Sequence, residues 1–336
     1  GEDVKKLAHV KDVIHRASDL AKLLMVKRFR EGALDLEIPE TEVVINEIGE
    51  PVDIIRSERL FAHRLIEEMM LVANICAAKF FDKNEIPAMY RIHEAPNDDN
   101  IRMLERYLHN FGSKKGLSGG KLQKKITKAL QEFANKPEGQ ILNILTLRSM
   151  NQAKYNHENI GHFGLGFEFY THFTSPIRRY PDLIVHRLIK NLVMPKAGYR
   201  LMSEEKLATA GTFLSACEQR SVKAERQLIS IKKARFMSRM VGEEFEAVVS
   251  SVAKFGVFVL LRQYDVDGRV ALEDLGNDKW EFDEEKLRLV GKRSGQSYEI
   301  GDKLSVIVAA ADVDEGKIDF VLAPEKSSEK KDQEEE

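Results

Sequence analysis

Asn159-Ile-Gly-His-Phe-Gly-Leu-Gly-Phe-Glu-Phe-Tyr-Thr-His-Phe-Thr-Ser-Pro-Ile-Arg-Arg-Tyr-Pro-Asp-Leu-Ile-Val-His-Arg187 is the densest concentration of chemically capable side chains in the sequence. Three His, three Arg, two Tyr and three Gly are interleaved here. Glycines let a backbone come close to a ligand, and Thr174, Ser175, Arg178, Arg179 and Tyr180 are side chains of the kind that contact phosphate and sugar. Adjacent arginines beside a proline-fixed turn suit a phosphodiester, because a guanidinium donates in parallel to two phosphate oxygens. The same arginines could instead tie down the start of the following helix.

The charge distribution points to the same region. Residues 101–240 hold 25 Lys and Arg against 10 Asp and Glu, a net +15, whereas residues 1–100 carry −6 and residues 241–336 carry −11. A strongly basic middle third is the footprint of a polyanion-binding surface, or else a set of solvated helix faces.

Outward from this stretch, helical spacing predicts a helix through the first 35 residues and an apolar one over 59–82 capped by Ser57. Further helices are expected over 97–111, 120–135, 138–153, 181–193 and 203–239, with a hairpin over 42–55. After Val241 the texture changes to short β-rich runs, at 244–252, 255–262, 268–272, 286–290, 303–310 and 317–322, which suggest a small closed barrel. The domains expected are therefore 1–240 and 241–324, followed by a charged, disordered tail over 325–336.

At 336 residues, two domains are the default. The longest apolar run, Met69 to Phe81, contains Asn74 and Lys79 and is too short to span a bilayer, and no signal peptide is evident. Cys76 and Cys217 lie in apolar helical patterns without zinc or disulfide spacing, so both are expected to be reduced core residues of a cytoplasmic protein.

His172-Phe-Thr-Ser-Pro-Ile-Arg-Arg-Tyr-Pro-Asp-Leu resembles the signature of the ribonuclease R/ribonuclease II (RNB) catalytic domain. Gly32-Ala-Leu-Asp-Leu-Glu-Ile-Pro-Glu, Ala62-His-Arg-Leu-Ile-Glu-Glu-Met-Met-Leu-Val-Ala-Asn and Met89-Tyr-Arg-Ile-His-Glu-Ala-Pro resemble further family segments, in order and spacing. The likeness runs from about residue 20 to residue 323, and His172-Phe with Arg178-Arg-Tyr-Pro-Asp follows the ribonuclease R pattern more closely.

The resemblance implies an α+β fold: the helix-rich C-terminal portion of an RNB catalytic domain followed by an S1-type OB-fold barrel. It implies a 3′→5′ exoribonuclease that takes single-stranded RNA, 3′ end first, into a channel and processively releases 5′-mononucleotides. Arg178 matches the arginine that stabilises charge on the scissile phosphate, a contribution of about 3 kcal/mol for such a donor. Glu67 and Glu225 match glutamates beside the substrate, although either could be one half of a helix ion pair. His162 belongs either to the site or to the core. A monomeric protein is implied.

Magnesium is implied for the whole enzyme, held by an aspartate cluster read as Asp, five residues, Asp, one residue, Asp-Asp. That pattern is absent from this sequence; the single Asp-Asp pair, Asp98-Asp99, reads as N-terminal helix charge, and Asp182 as a helix cap. No metal ligand is assigned, and the chain is expected to begin downstream of the cluster.

In the barrel, Val252-Ala-Lys-Phe-Gly-Val-Phe-Val, Gly268-Arg-Val-Ala-Leu, Asp278-Lys-Trp-Glu-Phe and Gly301-Asp-Lys-Leu resemble the S1-type RNA-binding OB-fold. Phe255, Phe258 and Trp280 are the candidates for stacking bases, with Lys254 and Arg269 near phosphates. Two of the three aromatics could be core, Phe258 first among them.

Three readings compete: an exoribonuclease whose missing N-terminal half, or a partner chain, supplies the metal seat; a non-catalytic RNA-binding module or half of a split exoribonuclease; and, more weakly, an adaptor that uses the barrel alone. Without the upstream half the chain should expose apolar surface and be marginally stable.

Overall fold

The computed structural model describes residues 8–34, 36, 41–57, 59–134, 136, 138–194, 198, 201–284 and 286–324. The tail at 325–336, for which disorder is expected, lies outside the described residues. Contacts divide the chain into two compact units, Gly1–Ile38 with Glu58–Lys223, and Pro39–Ser57 with Ala224–Glu336.

The first unit begins with α1 (Lys11–Glu31), which stops at Gly32, where a φ of 116° turns the amide back to the carbonyls of Arg28 and Phe29. α2 (Phe61–Lys83) buries Glu68, Leu71, Asn74, Ala77, Ala78 and Phe81, the three- and four-residue spacing of one helical face. Its cap is Leu60 rather than Ser57, and the His63 ring nitrogen Nδ1 accepts the Leu60 amide. Arg28 of α1 donates through Nε and Nη2 to Oε1 of Glu68, at 3.0 and 2.5 Å, in a buried ion pair.

Three helices follow, α3 (Asp98–Asn110), α4 (Leu122–Gln131) and α5 (Gly139–Ser149), packed around Leu104, Leu108, Ile126 and Leu142. Asn97 caps α3 by accepting the Asn100 amide, with Asp98 and Asp99 in the first turn. α4 starts later than its periodicity suggests because Gly119 and Gly120 both take left-handed φ values, which a helix cannot contain. A second core gathers Phe81, Met89, Ile92, Tyr155, Val185, Leu188 and Leu207, joining α2 to the antiparallel pair β3 (Tyr90–Ile92) and β4 (Lys154–Asn156), to α6 (Tyr180–Val193) and to the first half of α7 (Glu204–Met237).

The cysteines are not core residues. Cys76 is exposed and Cys217 half-buried, because Cys76 lies on the outward side of α2 beside Lys79, while Ala77, Ala78 and Phe81 face inward.

The second unit is a closed five-stranded barrel in the order β11-β12-β7-β6-β5, where β5 is Glu244–Ala253, β6 Gly256–Leu261, β7 Val266–Ala271, β11 Lys303–Asp312 and β12 Lys317–Leu322. Neighbours are antiparallel except β12 and β7, whose parallel pairing closes the barrel. Val249, Val257, Val259, Val270, Val306 and Phe320 fill it. Gly268 is required there, because a Cβ would stand 2.4 Å from the Phe320 ring.

A three-stranded sheet, β8 (Trp280–Asp283), β9 (Arg288–Gly291) and β10 (Ser297–Glu299), is inserted between β7 and β11. Only β9, with its alternating Leu289 and Gly291 buried, was legible as a strand; β8 and β10 are too short and too polar to give a pattern. The hairpin of β1 (Thr41–Ile45) and β2 (Pro51–Arg56) precedes α2 in the chain yet belongs to this second unit. Glu50 at its turn pairs with Arg235 and Arg239, Lys232 donates to the Gly49 carbonyl, and Ile54 enters the barrel core. No described helix is long and apolar enough to cross a membrane.

Candidate nucleic-acid interface

The segment quoted at the outset is held from several directions by buried polar groups. Asn74 of α2 donates from its amide to the Tyr170 hydroxyl at 3.1 Å and accepts the Phe173 amide at 2.9 Å. Thr171 donates to the Met89 carbonyl at 2.5 Å, and His186 of α6 hydrogen-bonds the Phe173 carbonyl at 2.9 Å while stacking on the Phe173 ring. Gly161 turns at a φ of 80°, where an added Cβ would meet the Phe167 carbonyl at 2.9 Å.

Three rings of this segment, His162, Tyr170 and His172, join His93 and Tyr155 in a chain of edge and tilted contacts. Burial pushes His162 down to about 3, helped by neighbouring His93, and His172 down to about 2, helped by the Arg179 guanidinium. Burial also raises the Tyr155 phenol to about 12, so this hydroxyl keeps its proton, and it hydrogen-bonds Nδ1 of His172 at 2.8 Å. His93 accepts the Gly164 amide at Nδ1, which leaves Nε2 to donate to the Asn151 carbonyl. His162 is therefore half-buried in a ring stack, its Nδ1 accepting the Leu165 amide. Beside it opens a cleft of about 630 Å³ lined by Glu94, Gln123, Asn159, Phe167 and Glu168.

The two arginines differ sharply. Arg179 donates from Nη2 to Oδ2 of Asp182 at 2.8 Å, and Asp182 is fully buried. Arg178 is exposed, and its guanidinium has no hydrogen-bonding or ion-pair partner among the described residues. Ser175 gives its amide to the same Oδ2 at 2.8 Å, and its carbonyl accepts the amides of Arg178 and Arg179. Asp182 thus caps the preceding turn as well as charging the start of α6. Thr174 is half-buried, and the exposed Tyr180 accepts from Arg187 at 3.3 Å.

Glu67 is paired with Arg59, and Glu225 is exposed on α7. Asn74, Tyr155 and Arg91, which pairs with Glu218 at 2.6 Å, were not named as site candidates from the sequence, and His172 was read only as part of the family signature. Asn74 alone left a signal, as a polar residue inside an apolar run.

A divalent magnesium ion needs several oxygen ligands. Among the described residues no three His, Cys, Asp or Glu side chains converge as metal ligands, and Oδ2 of Asp182 is already taken. The described residues do not fit a magnesium seat.

On the barrel, register places Ser251, Phe258, Arg269 and Asp319 in one row across β5, β6, β7 and β12. Arg269 pairs with Asp319 at 3.0 Å, and Lys254 with Glu284 at 2.8 Å. Phe255, 57% exposed in the β5–β6 turn, meets half-buried Phe258 edge-on at 6.0 Å. Trp280, rather than Phe258, is the aromatic that packs on the core: it lies against the barrel cluster and Tyr298. The reason is register, which aligns Phe258 with Arg269 on the outer face.

Comparison with known proteins places these features. The RNB domain model matches residues 1–195 and the S1 RNA binding domain model residues 238–322. Ribonuclease R of Aquifex aeolicus is 38% identical over 95% of this chain and 45% of its own length. That of Escherichia coli is 39% identical over 90% of this chain and 38% of its own length. The chain thus spans less than half the length of these curated relatives. The apo form of Mycoplasma genitalium RNase R superposes with a TM-score of 0.87 at 28% identity, covering 94% of this chain and 50% of that one. Yeast Ssd1, a pseudonuclease, shares the fold with a TM-score of 0.64 at 21% identity, so the fold by itself does not carry activity. With more than half its length matched by the RNB model, the chain belongs to the RNB family, is similar to ribonuclease R, and carries an S1 RNA-binding domain.

Proposed function

We propose that this chain is the RNA-gripping portion of a 3′→5′ exoribonuclease of the ribonuclease R type, which hydrolyses RNA processively to 5′-mononucleotides. The observation that carries this reading is the turn at Ser175–Arg179, which holds Arg178 exposed and unpaired while Arg179 is consumed by Asp182. An arginine stays charged at any physiological pH and donates two parallel hydrogen bonds, so Arg178 is suited to the scissile phosphate. Single-stranded RNA is the substrate in this reading, which the complex of M. genitalium RNase R with ribose methylated single-stranded RNA supports. Magnesium would supply the hydrolytic water and neutralise phosphate charge, from ligands outside the described residues. The same absence of clustered carboxylates among the described residues favours a second reading, that this chain alone grips RNA without cutting it. A cytoplasmic monomer that joins the metal-bearing half of the same protein, or a partner chain, completes the proposal.

The test is incubation of this chain with 5′-labelled single-stranded RNA and Mg²⁺, with the products resolved on a gel. RNA bound but not shortened is expected, with Arg178→Ala weakening binding about 10-fold and lowering the salt slope by about 0.7, the share of one single-strand phosphate. Stepwise shortening would place a metal seat in this chain and overturn the division of labour.

The barrel guides RNA by stacking. With 10 basic against 18 acidic residues over 241–324, it has little general attraction for phosphate. Phe255→Ala is expected to weaken RNA binding by about 1–3 kcal/mol, a stacked base's worth, with a stability change within about 0.5 kcal/mol. Anisotropy and urea melts of the variant measure both. Unchanged affinity would remove Phe255 from the interface.

A further inference from the structure

We infer that Asp182 is a positioning residue: it staples the Ser175–Arg179 turn so that Arg178 is held out toward an RNA phosphate. The inference rests on the role proposed above for Arg178 and adds a second residue to it.

A carboxylate in the first turn of a helix does its work on the helix dipole at the surface, so the dipole does not explain why Asp182 is 0% exposed. Burying that charge is costly unless its oxygens are hydrogen-bonded. One oxygen, Oδ2, takes both donors, the Ser175 amide and Arg179 Nη2, each at 2.8 Å. These donors stand at the two ends of the turn, so a single atom closes it. The amides of Arg178 and Arg179 close it again on the Ser175 carbonyl, at 3.3 and 3.0 Å.

Closure divides the arginine pair. Arg179 is drawn inward, and Arg178 is left exposed, without a partner among the described residues. Ile177, between the proline and the arginines, is 102% exposed. An apolar side chain free to move would bury part of its surface against the protein; this one is held off it by the backbone that carries it.

The surroundings are also unlike ordinary packing. Thr174 Oγ1, Arg179 Nε and Asp182 Oδ1 are three of the four buried side-chain polar atoms without a partner among the described residues. Unsatisfied polar atoms are rare in folded interiors, and their concentration in one turn marks a site built for something other than stability.

The experiment uses the full chain with a 5′-fluorescein oligoadenylate as probe, comparing wild type, Arg178→Ala, Asp182→Asn and the double variant. Asp182→Asn keeps the shape and removes the charge that draws Arg179 inward. It is expected to lose about 10-fold in affinity, as Arg178→Ala does, and the double variant to bind no more weakly than Arg178→Ala alone. Additive losses, or an unchanged affinity in Asp182→Asn, overturn the inference while leaving Arg178 in place. Equal binding by wild type and Arg178→Ala overturns the Arg178 role and this inference with it. Hydrogen exchange gives a readout that needs no RNA. The Ser175 amide should be protected in wild type and exchange freely in Asp182→Ala, with α6 still protected; a Ser175 amide that stays protected rules the staple out.

Discussion

Glu68→Ala is expected to destabilise the first unit by about 3–5 kcal/mol, the usual cost of leaving one member of a buried ion pair without its partner. Arg28 and Glu68 have side chains only 9% and 3% exposed, and both Nε and Nη2 of the arginine donate to one carboxylate oxygen. Removing the carboxylate strands a guanidinium between α1 and α2, where water cannot replace it. Because a domain's net stability is roughly 5–15 kcal/mol, a loss of this size is a large fraction of the total. Glu68→Gln should lose nearly as much, since it preserves shape but not charge. Replacing both residues by apolar ones of similar volume, Arg28→Met with Glu68→Leu, should recover most of the loss. Urea melts followed by far-UV circular dichroism measure these differences. A loss below about 1 kcal/mol in Glu68→Ala would mean that the pair is solvated in solution.

Mild acid is expected to unfold the same unit while sparing the barrel. His162 and His172 are held at about 3 and about 2, well below their ordinary 6.5, chiefly by burial, and His93 is lowered by the same cause. Above 6.5 these histidines are neutral in both folded and unfolded chains and contribute nothing to pH dependence. As pH falls below 6.5 the unfolded chain takes up protons that the folded chain refuses. Stability is therefore lost on acidification, down to the lowered folded values.

Each histidine contributes about 1.4 kcal/mol per pH unit in that window. The unfolding free energy should be about 4 kcal/mol lower at pH 5 than at pH 7.5 from His162 and His172 together. None of the nine histidines lies in 39–57 or 224–336, and the single tryptophan, Trp280, lies in the barrel. Circular dichroism of the helices should therefore lose cooperativity in acid at a pH where Trp280 fluorescence is unchanged. The double variant His162→Gln with His172→Gln should flatten the pH slope. A slope that stays flat in wild type would mean that the ring stack accepts protons without opening.

α1 exposes apolar side chains, among them Val13, Leu23 and Val26. Leu23 and Val26 lie on the helix face opposite Ala21 and Arg28, which are buried.

Much of the architecture was legible because helices and strands announce themselves within a few residues. The alternation over 42–55 became β1 and β2, and the five barrel runs became β5, β6, β7, β11 and β12. The basic, glycine-punctuated segment from Asn159 to Arg187 also identified itself, since its residue types and spacing are local properties. Ser57 failed as a cap because Leu60 is still extended and the helix starts only at Phe61. The core cysteines failed because an apolar run does not say which face of the helix will be covered.

What the sequence determined by itself was the helices and the five barrel strands, the switch from helices to a barrel after Val241, and the motif that places the chain in the RNB family. Tertiary structure decided which polar groups meet. Asn74 reaches Tyr170 across 96 residues and Arg28 reaches Glu68 across 40, separations at which no periodicity carries information. Folding likewise decided that Arg179 turns inward and Arg178 outward, that Trp280 packs on the barrel and Phe258 does not, and that the hairpin before α2 belongs to the second unit. The physical reason is common to all of these. Hydrogen-bonding and apolar groups are satisfied by whatever the fold brings within a few ångströms, and neighbours in sequence do not specify neighbours in space.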